Sequence, residues 1–140
     1  MLAELPRHAT RLAEGAAQAG LQLDDNAIGA CMDFLTLLFQ WNRVHNLTGP
    51  VSPADAVTRH LLDSLFISPF LRGTRALDIG SGAGFPGLPL AIARPDIDWP
   101  LLDNRVKRIG FLSQARARPR PAGQHLASHG PVWSLSLIHT

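Results

Sequence analysis

Five residues have types and spacing that suit the binding of a nucleoside: Asp78, Gly80, Gly82, Gly84 and Asp103. The glycines follow directly on a short apolar stretch that reads as a strand over 75–79. Glycine adopts positive φ without steric cost, so the chain can turn tightly there. With no side chains in the way, a ligand can also approach the backbone closely. A helix follows the turn, and its first N–H groups point back toward such a ligand. Asp103 ends a second strand 23 residues after Gly80. A carboxylate at that place can accept hydrogen bonds from both hydroxyls of a ribose. The two features together describe a nucleoside-binding crevice.

The identity of the nucleoside is open between readings. Gly82-x-Gly84-x-x-Gly87 formally matches the dinucleotide fingerprint. The strand, however, runs straight into Gly80, so the match starts two residues late. Pro86 also lacks an N–H near the helix start, where a pyrophosphate needs donors. Asp78-x-Gly80-x-Gly82-x-Gly84 instead looks like motif I of class I methyltransferases. Their cofactor has no phosphate and needs close approach more than an anion cradle. A structural turn with no ligand is the third reading.

The remaining chemistry-bearing residues carry weaker signals. Arg59 has a potential partner in Asp63, four residues along the same helix. His60 lies beside the apolar stripe of that helix, as a structural histidine would. Asn46 sits in a breaker cluster and could serve only to turn the chain. Lys107 and Arg108 could form an ordinary solvated face. Trp41 reads as core. Cys31, among apolar helical neighbours, reads as a small buried hydrophobe. The six histidines and one cysteine show no metal-ligand spacing.

The elements that must position these groups follow from periodicity and punctuation. Residues 3–19 read as a helix closed by Gly20. Asp24, Asp25 and Asn26 are N-cap candidates for a second helix reaching about residue 45. Its apolar positions, Ile28, Met32, Leu35, Leu38 and Phe39, recur at helical spacing. Residues 46–50 break it. Ser52 or Asp55 opens a third helix, with Ala56, Leu61, Leu62 and Leu65 as its stripe and Pro69 and Gly73 at its end. Beyond the 75–79 strand and the glycine turn, a helix through Leu88, Ala91 and Ile92 stops near Pro95. A strand over 97–103 follows, weakened by Pro100, which has no N–H for a ladder. A helix over about 105–115 comes next. Strand, helix, strand, helix is the start of a parallel α/β sheet.

Composition agrees with a folded domain: 46% of the 140 residues are apolar. A single cysteine excludes a disulfide framework. No apolar run approaches the roughly 18 residues of a membrane span, and the charged N-terminus is unlike a secretory signal. A soluble cytoplasmic protein is the expectation. Through residue 115 the chain holds ten basic and eleven acidic residues, whereas 116–140 hold three arginines and no acid. The basic pI therefore comes from the tail, and any nucleic-acid surface must be a local patch.

Over roughly residues 30–115 the sequence closely resembles ribosomal RNA small-subunit methyltransferase G, also called the glucose-inhibited division protein B family. The resemblance rests on Trp41-Asn42-x-x-x-Asn46-Leu47-Thr48, on Arg59-His60-x-x-Asp63-Ser64, on the glycine run into Phe85-Pro86-Gly87-x-Pro89-Leu90, and on Leu101-Leu102-Asp103 with the following Lys107-Arg108. It implies an α/β fold: a helical N-terminal segment (1–72), then the first half of a class I S-adenosylmethionine-dependent methyltransferase (Rossmann-like) parallel sheet (73–115). It implies an enzyme that uses S-adenosyl-L-methionine to methylate guanine N7 in 16S ribosomal RNA, free or in the small ribosomal subunit, with no metal and no membrane. Gly80 and Phe85 look like cofactor contacts, Gly82 and Gly84 like the turn, and Asp103 like the ribose carboxylate. Asp78 looks like a residue that orders the loop or reaches the methionine end through water. Asn46, Arg59, His60, Lys107 and Arg108 look like residues facing RNA. No catalytic residue is implied.

Residues 116–140 match nothing in that family, and their Arg/Pro/Ala/Gly/Ser/His bias differs from the body. An irregular, out-of-frame tail after a frameshift near codon 115 is the expectation, leaving the fold incomplete and the polypeptide inactive. A nicotinamide-dependent oxidoreductase fragment and a non-catalytic helical interaction module are the competing expectations.

Overall fold

A computed structural model describes residues 4–118 and 131–134. Helix α1 spans Leu5–Gln18 and α2 spans Asp25–His45. Asp24 caps α2, accepting the Ala27 N–H at 2.7 Å. Asn46 ends α2 in the left-handed conformation, φ 49°. This long helix is the spine of the core. Phe34, Leu37 and Leu38 are buried along it, and α1 packs across it through Leu12 and Ala16.

The third helix forms where its stripe and cap place it, but its hydrogen bonding is not α throughout. Ser52 opens it, accepting the Asp55 N–H at 3.1 Å, and α3 covers only Pro53–Asp55. Residues Ala56–Leu62 then follow π-helical hydrogen bonding before α4, Asp63–Leu65. The Thr58 and Ser64 hydroxyls donate to the carbonyls of Ala54 and His60 at 2.9 and 2.6 Å. These bonds occupy carbonyls that flank the widened turn. A 3-10 turn at Ser68–Phe70 ends the helical part.

The α/β part runs β1 (Asp78–Ile79), α5 (Gly87–Ala93), β2 (Leu101–Asp103), α6 (Val106–Ala117) and β3 (Val132–Ser134). The strands form one parallel sheet in the order β1-β2-β3. Pro100 shortens the second strand from its expected start at 97. The ladder continues before it only as a bridge between Arg75 and Asp98.

Two findings correct the expectation of an irregular tail from residue 116. Val132–Ser134 supplies a third strand, pairing Leu101 with Val132 and Asp103 with Ser134. In addition, α6 runs on through Arg116, which is buried and donates to the Trp99 carbonyl at 2.5 Å. Its apolar stem fills core space while its head finds an acceptor inside. Burial lowers the Arg116 pKa to about 10, opposed by the attraction of Asp98. The other positions of 119–130 and 135–140 lie outside the described residues.

One cluster of buried side chains joins the N-terminal helices to α5, β2 and α6, with Phe34 and Phe111 at its centre. On the opposite face of the sheet, Leu77, Ile79 and Trp133 are exposed among the described residues, while Leu102 between the last two is buried.

Arg116→Ala removes both the packed stem and the donor of the buried bond to the Trp99 carbonyl. It is expected to lower unfolding free energy by about 2 kcal/mol, measured by urea denaturation.

Candidate cofactor site

β1 and β2 lie side by side and point the same way, so Asp78 and Asp103 both arrive at the carboxyl end of the sheet. Both are buried. Their partners differ. Asp78 Oδ2 accepts the Gly87 N–H at 3.0 Å, fastening the first turn of α5 to β1. Asp103 Oδ2 accepts the Gly82 N–H at 2.8 Å, and its Oδ1 accepts the Arg105 N–H at 2.9 Å. The acidic residue of β2 therefore touches the glycine turn directly. A carboxylate has about four lone-pair positions, so one acceptor position remains on each oxygen.

The turn is held from beneath as well. Gly80 and Ser81 donate to the Leu102 carbonyl at 2.7 and 3.1 Å. The Ser81 hydroxyl donates to the Asp78 carbonyl at 3.0 Å and accepts the Leu102 N–H at 3.3 Å. Gly80, Gly82 and Gly84 all have positive φ. At Gly80, φ is +72° and an added Cβ would meet no atom within 4 Å. Its backbone therefore faces open space, as a close approach by a ligand requires. Gly87 is glycine for the opposite reason: a Cβ there would lie 2.5 Å from both Asp78 Oδ2 and Leu101 Cδ2.

These bonds bear on the two nucleoside classes. A pyrophosphate needs free N–H groups at the turn and the helix start. Here the Gly82 N–H is held by Asp103 and the Gly84 N–H by the Ser81 carbonyl at 2.8 Å. Asp78 holds the Gly87 N–H, the Leu88 N–H binds the Gly84 carbonyl at 2.8 Å, and Pro86 has none. These bonds leave the Ala83 and Phe85 N–H groups as the turn's remaining donors toward a ligand.

The RNA-facing candidates separate into two groups. Asn46, Lys107 and Arg108 line one cavity of about 320 Å³, together with His45, Leu47, Arg105 and Val106. His60 lies elsewhere, stacked on Phe85 with ring centroids 5.0 Å apart. Phe85 in turn meets Phe34 edge-on at 5.2 Å. Arg59 pairs with Asp55 at 3.6 Å, not with Asp63. The widened π turn changes the angular spacing along this stretch, and helical side chains lean toward the N-terminus.

Three supporting residues are not among the expected site residues. Asn42 holds the 46–49 loop: its amide donates to the Gly49 carbonyl and its oxygen accepts the Thr48 N–H, both at 2.9 Å. Its place in the last turn before a breaker cluster was the available signal. Trp41 donates to Gln114 at 2.8 Å and packs against Phe111, locking α2 to α6. Ser81 stands at a position that the motif leaves unspecified. Among the described residues, no group of three or more His, Cys, Asp or Glu could hold a metal ion, and no helix is long and apolar enough to cross a membrane.

The sequence model of the family described as rRNA small subunit methyltransferase G matches residues 28–121. The chain belongs to this family. Curated relatives carry the name Ribosomal RNA small subunit methyltransferase G. That of Edwardsiella ictaluri is 45% identical over 100 residues, 71% of this chain and 48% of the relative. That of Shewanella amazonensis is 47% identical over 106 residues, 76% of this chain and 52% of the relative. That of Coxiella burnetii is 44% identical over 108 residues, 77% of this chain and 53% of the relative. The chain thus spans about half the length of the curated relatives it matches. The family match also runs six residues past 115, taking in Arg116 and the end of α6.

Burial raises the Asp78 pKa above its ordinary value, with Asp103 adding repulsion; the bonds from Gly87 and Ser81 partly offset this. A carboxyl raised on folding favours the folded state in its protonated form, so this contribution to stability is lost as pH rises through its titration. Asp78→Asn keeps an acceptor for Gly87 without the charge. It is expected to gain stability relative to the parent as pH rises from 4 to 8, in thermal melts across that range. Gly87→Ala is expected to cost about 3 kcal/mol, by overpacking and by breaking the Asp78 bond. Gly80→Ala is expected to cost about 1 kcal/mol, from its φ alone. Chemical denaturation distinguishes the two.

Proposed function

We propose that this chain carries the cofactor-binding half of an S-adenosyl-L-methionine-dependent methyltransferase that modifies guanine N7 of 16S ribosomal RNA. The contact between the Gly82 N–H and Asp103 supports this most directly. It brings the bare turn and the acceptor for a ribose to one place, while several N–H groups of the turn and the helix start are already bonded within the protein. Family membership supplies the class of reaction.

In this reading Asp103 binds the two ribose hydroxyls, and Gly80 lets the cofactor lie against the backbone. Gly82 and Gly84 shape the turn. Asp78 fixes the start of α5 and so the direction of the loop. Phe85, held between His60 and Phe34, forms an apolar wall. The bound cofactor would supply an electrophilic methyl group on a sulfonium. Guanine N7 carries an unshared electron pair, so its attack requires no general base, and no acid–base pair is assigned. The protein's contribution is alignment of N7, methyl carbon and sulfur, worth several kcal/mol. The base edge must be reachable, which favours an unpaired or opened RNA segment. Asn46, Arg59, His60, Lys107 and Arg108 are the proposed RNA-facing residues. The partner is 16S ribosomal RNA or the small ribosomal subunit, and the compartment is the cytoplasm.

The described elements build one wall of the cofactor pocket, so a polypeptide of these 140 residues is expected to bind weakly and not to methylate RNA. Millimolar S-adenosylmethionine is expected to raise its melting temperature, while NAD leaves it unchanged. A ligand at about 100 times its Kd adds roughly 2.7 kcal/mol. Asp103→Ala is expected to abolish the shift. Stabilisation by NAD, or by neither ligand, contradicts the assignment. Micromolar binding in calorimetry contradicts the expected weakness.

A further inference from the structure

We propose that the cavity between the end of α2 and the start of α6 is a subsite for a backbone phosphate of single-stranded RNA. The inference rests on the methyltransferase assignment and adds which chemical group the cavity takes. Three of its seven lining residues, Arg105, Lys107 and Arg108, are cations, and none is acidic. The chain outside the tail is close to neutral, so this concentration of charge is local and not a reflection of composition. The cations come from the β2–α6 junction. The opposite wall, His45 and Asn46 at the carbonyl end of α2, contributes polar groups and no fixed charge. At about 320 Å³ the cavity has room for a phosphodiester and part of its sugar. Val106, 85% exposed, offers an apolar surface to that sugar or to a splayed base.

Arg108 ties this cavity to the candidate cofactor site. It lines the cavity, and its Nη1 lies 3.8 Å from Asp103 Oδ2. That separation is an ion pair without a hydrogen bond. The same nitrogen is 4.0 Å from where a Cβ on Gly82 would stand. An RNA phosphate bound here would lie within one side chain of the ribose carboxylate. Placement of the phosphate then sets the reach of a neighbouring base toward the glycine turn. Arg59 and His60 lie outside this cavity and are not required for the phosphate contact.

The test uses a fluorescently labelled single-stranded oligoribonucleotide, titrated with the 140-residue chain across a range of salt. Lys107→Gln is expected to weaken binding about three-fold at low salt and to reduce the salt slope by about 0.7, one phosphate contact. Arg105→Gln gives a second variant at the same wall, with the same expectation. Arg75→Gln removes equal charge at the opposite end of the sheet, where Arg75 is exposed and pairs with Asp98 at 3.4 Å. It is expected to leave affinity and slope unchanged. Equal losses in all three variants, or none in the two cavity variants, would overturn the proposal. Inorganic phosphate alone, titrated into the millimolar range, is expected to leave the melting temperature unchanged. A rise that Lys107→Gln removes would reassign the cavity to free phosphate and overturn the RNA subsite. The adenosylmethionine melt on the parent chain separates the two levels. A cofactor shift without a cavity effect on RNA sinks this subsite alone, whereas loss of the cofactor shift sinks the assignment beneath it.

Discussion

Two carboxylates buried at the carboxyl ends of neighbouring parallel strands hold the glycine turn in place. Asp78 takes the first N–H of α5 and Asp103 takes an N–H from within the turn. Parallel pairing of Asp78 with Leu101 and Ile79 with Leu102 brings these ends together. A one-residue slip would send Asp103 to the other face of the sheet and leave the Gly82 N–H without its acceptor. Burying two acidic groups so close together carries a cost, visible in the raised pKa of Asp78. Backbone N–H groups offset part of it, and in doing so they become unavailable for a phosphate. The same bonds that stabilise the turn thus limit the donors it can offer a ligand.

The helical part is joined to this turn through aromatic packing. Phe34 of α2 meets Phe85 of the loop and Phe111 of α6. Trp41, about two helical turns further along, closes the α2–α6 contact. His60 reaches Phe85 from the π-helical stretch. The loop therefore rests on side chains from three elements distant in sequence. Its upper side, at Gly80, stays clear. On the far face of the sheet, Leu77, Ile79 and Trp133 are exposed. Parallel sheets are ordinarily covered on both faces, and the described helices cover only one.

Much of the fold was legible because local rules and tertiary packing agree. Asp24 and Ser52 cap their helices as their side chains suggest. The strand–turn–helix order around Gly80 follows from composition alone. The 53–65 stretch is helical with its apolar stripe buried, as its spacing indicates, but that spacing does not distinguish α from π hydrogen bonding, and the pairing of Arg59 was misread. The tail was misread for a different reason. Three residues in a strand leave little periodicity, and Val132–Ser134 becomes a strand by pairing with β2. Arg116 looked like the start of a basic tail, because its acceptor, the Trp99 carbonyl, lies 17 residues away.

The residue types of the turn, its acidic partner and their spacing were determined by the sequence alone, since positive φ at consecutive glycines and a carboxylate at a strand end are local properties. The order of helices and strands was determined there too. Only the tertiary structure decided which N–H groups remain free, that Asp103 touches Gly82, and that Asn46, Lys107 and Arg108 share a cavity from which Arg59 and His60 are absent. Those relations depend on the register between strands and on the packing of α2 against α6. Both are set by burial of the whole core, which no short window of the chain contains.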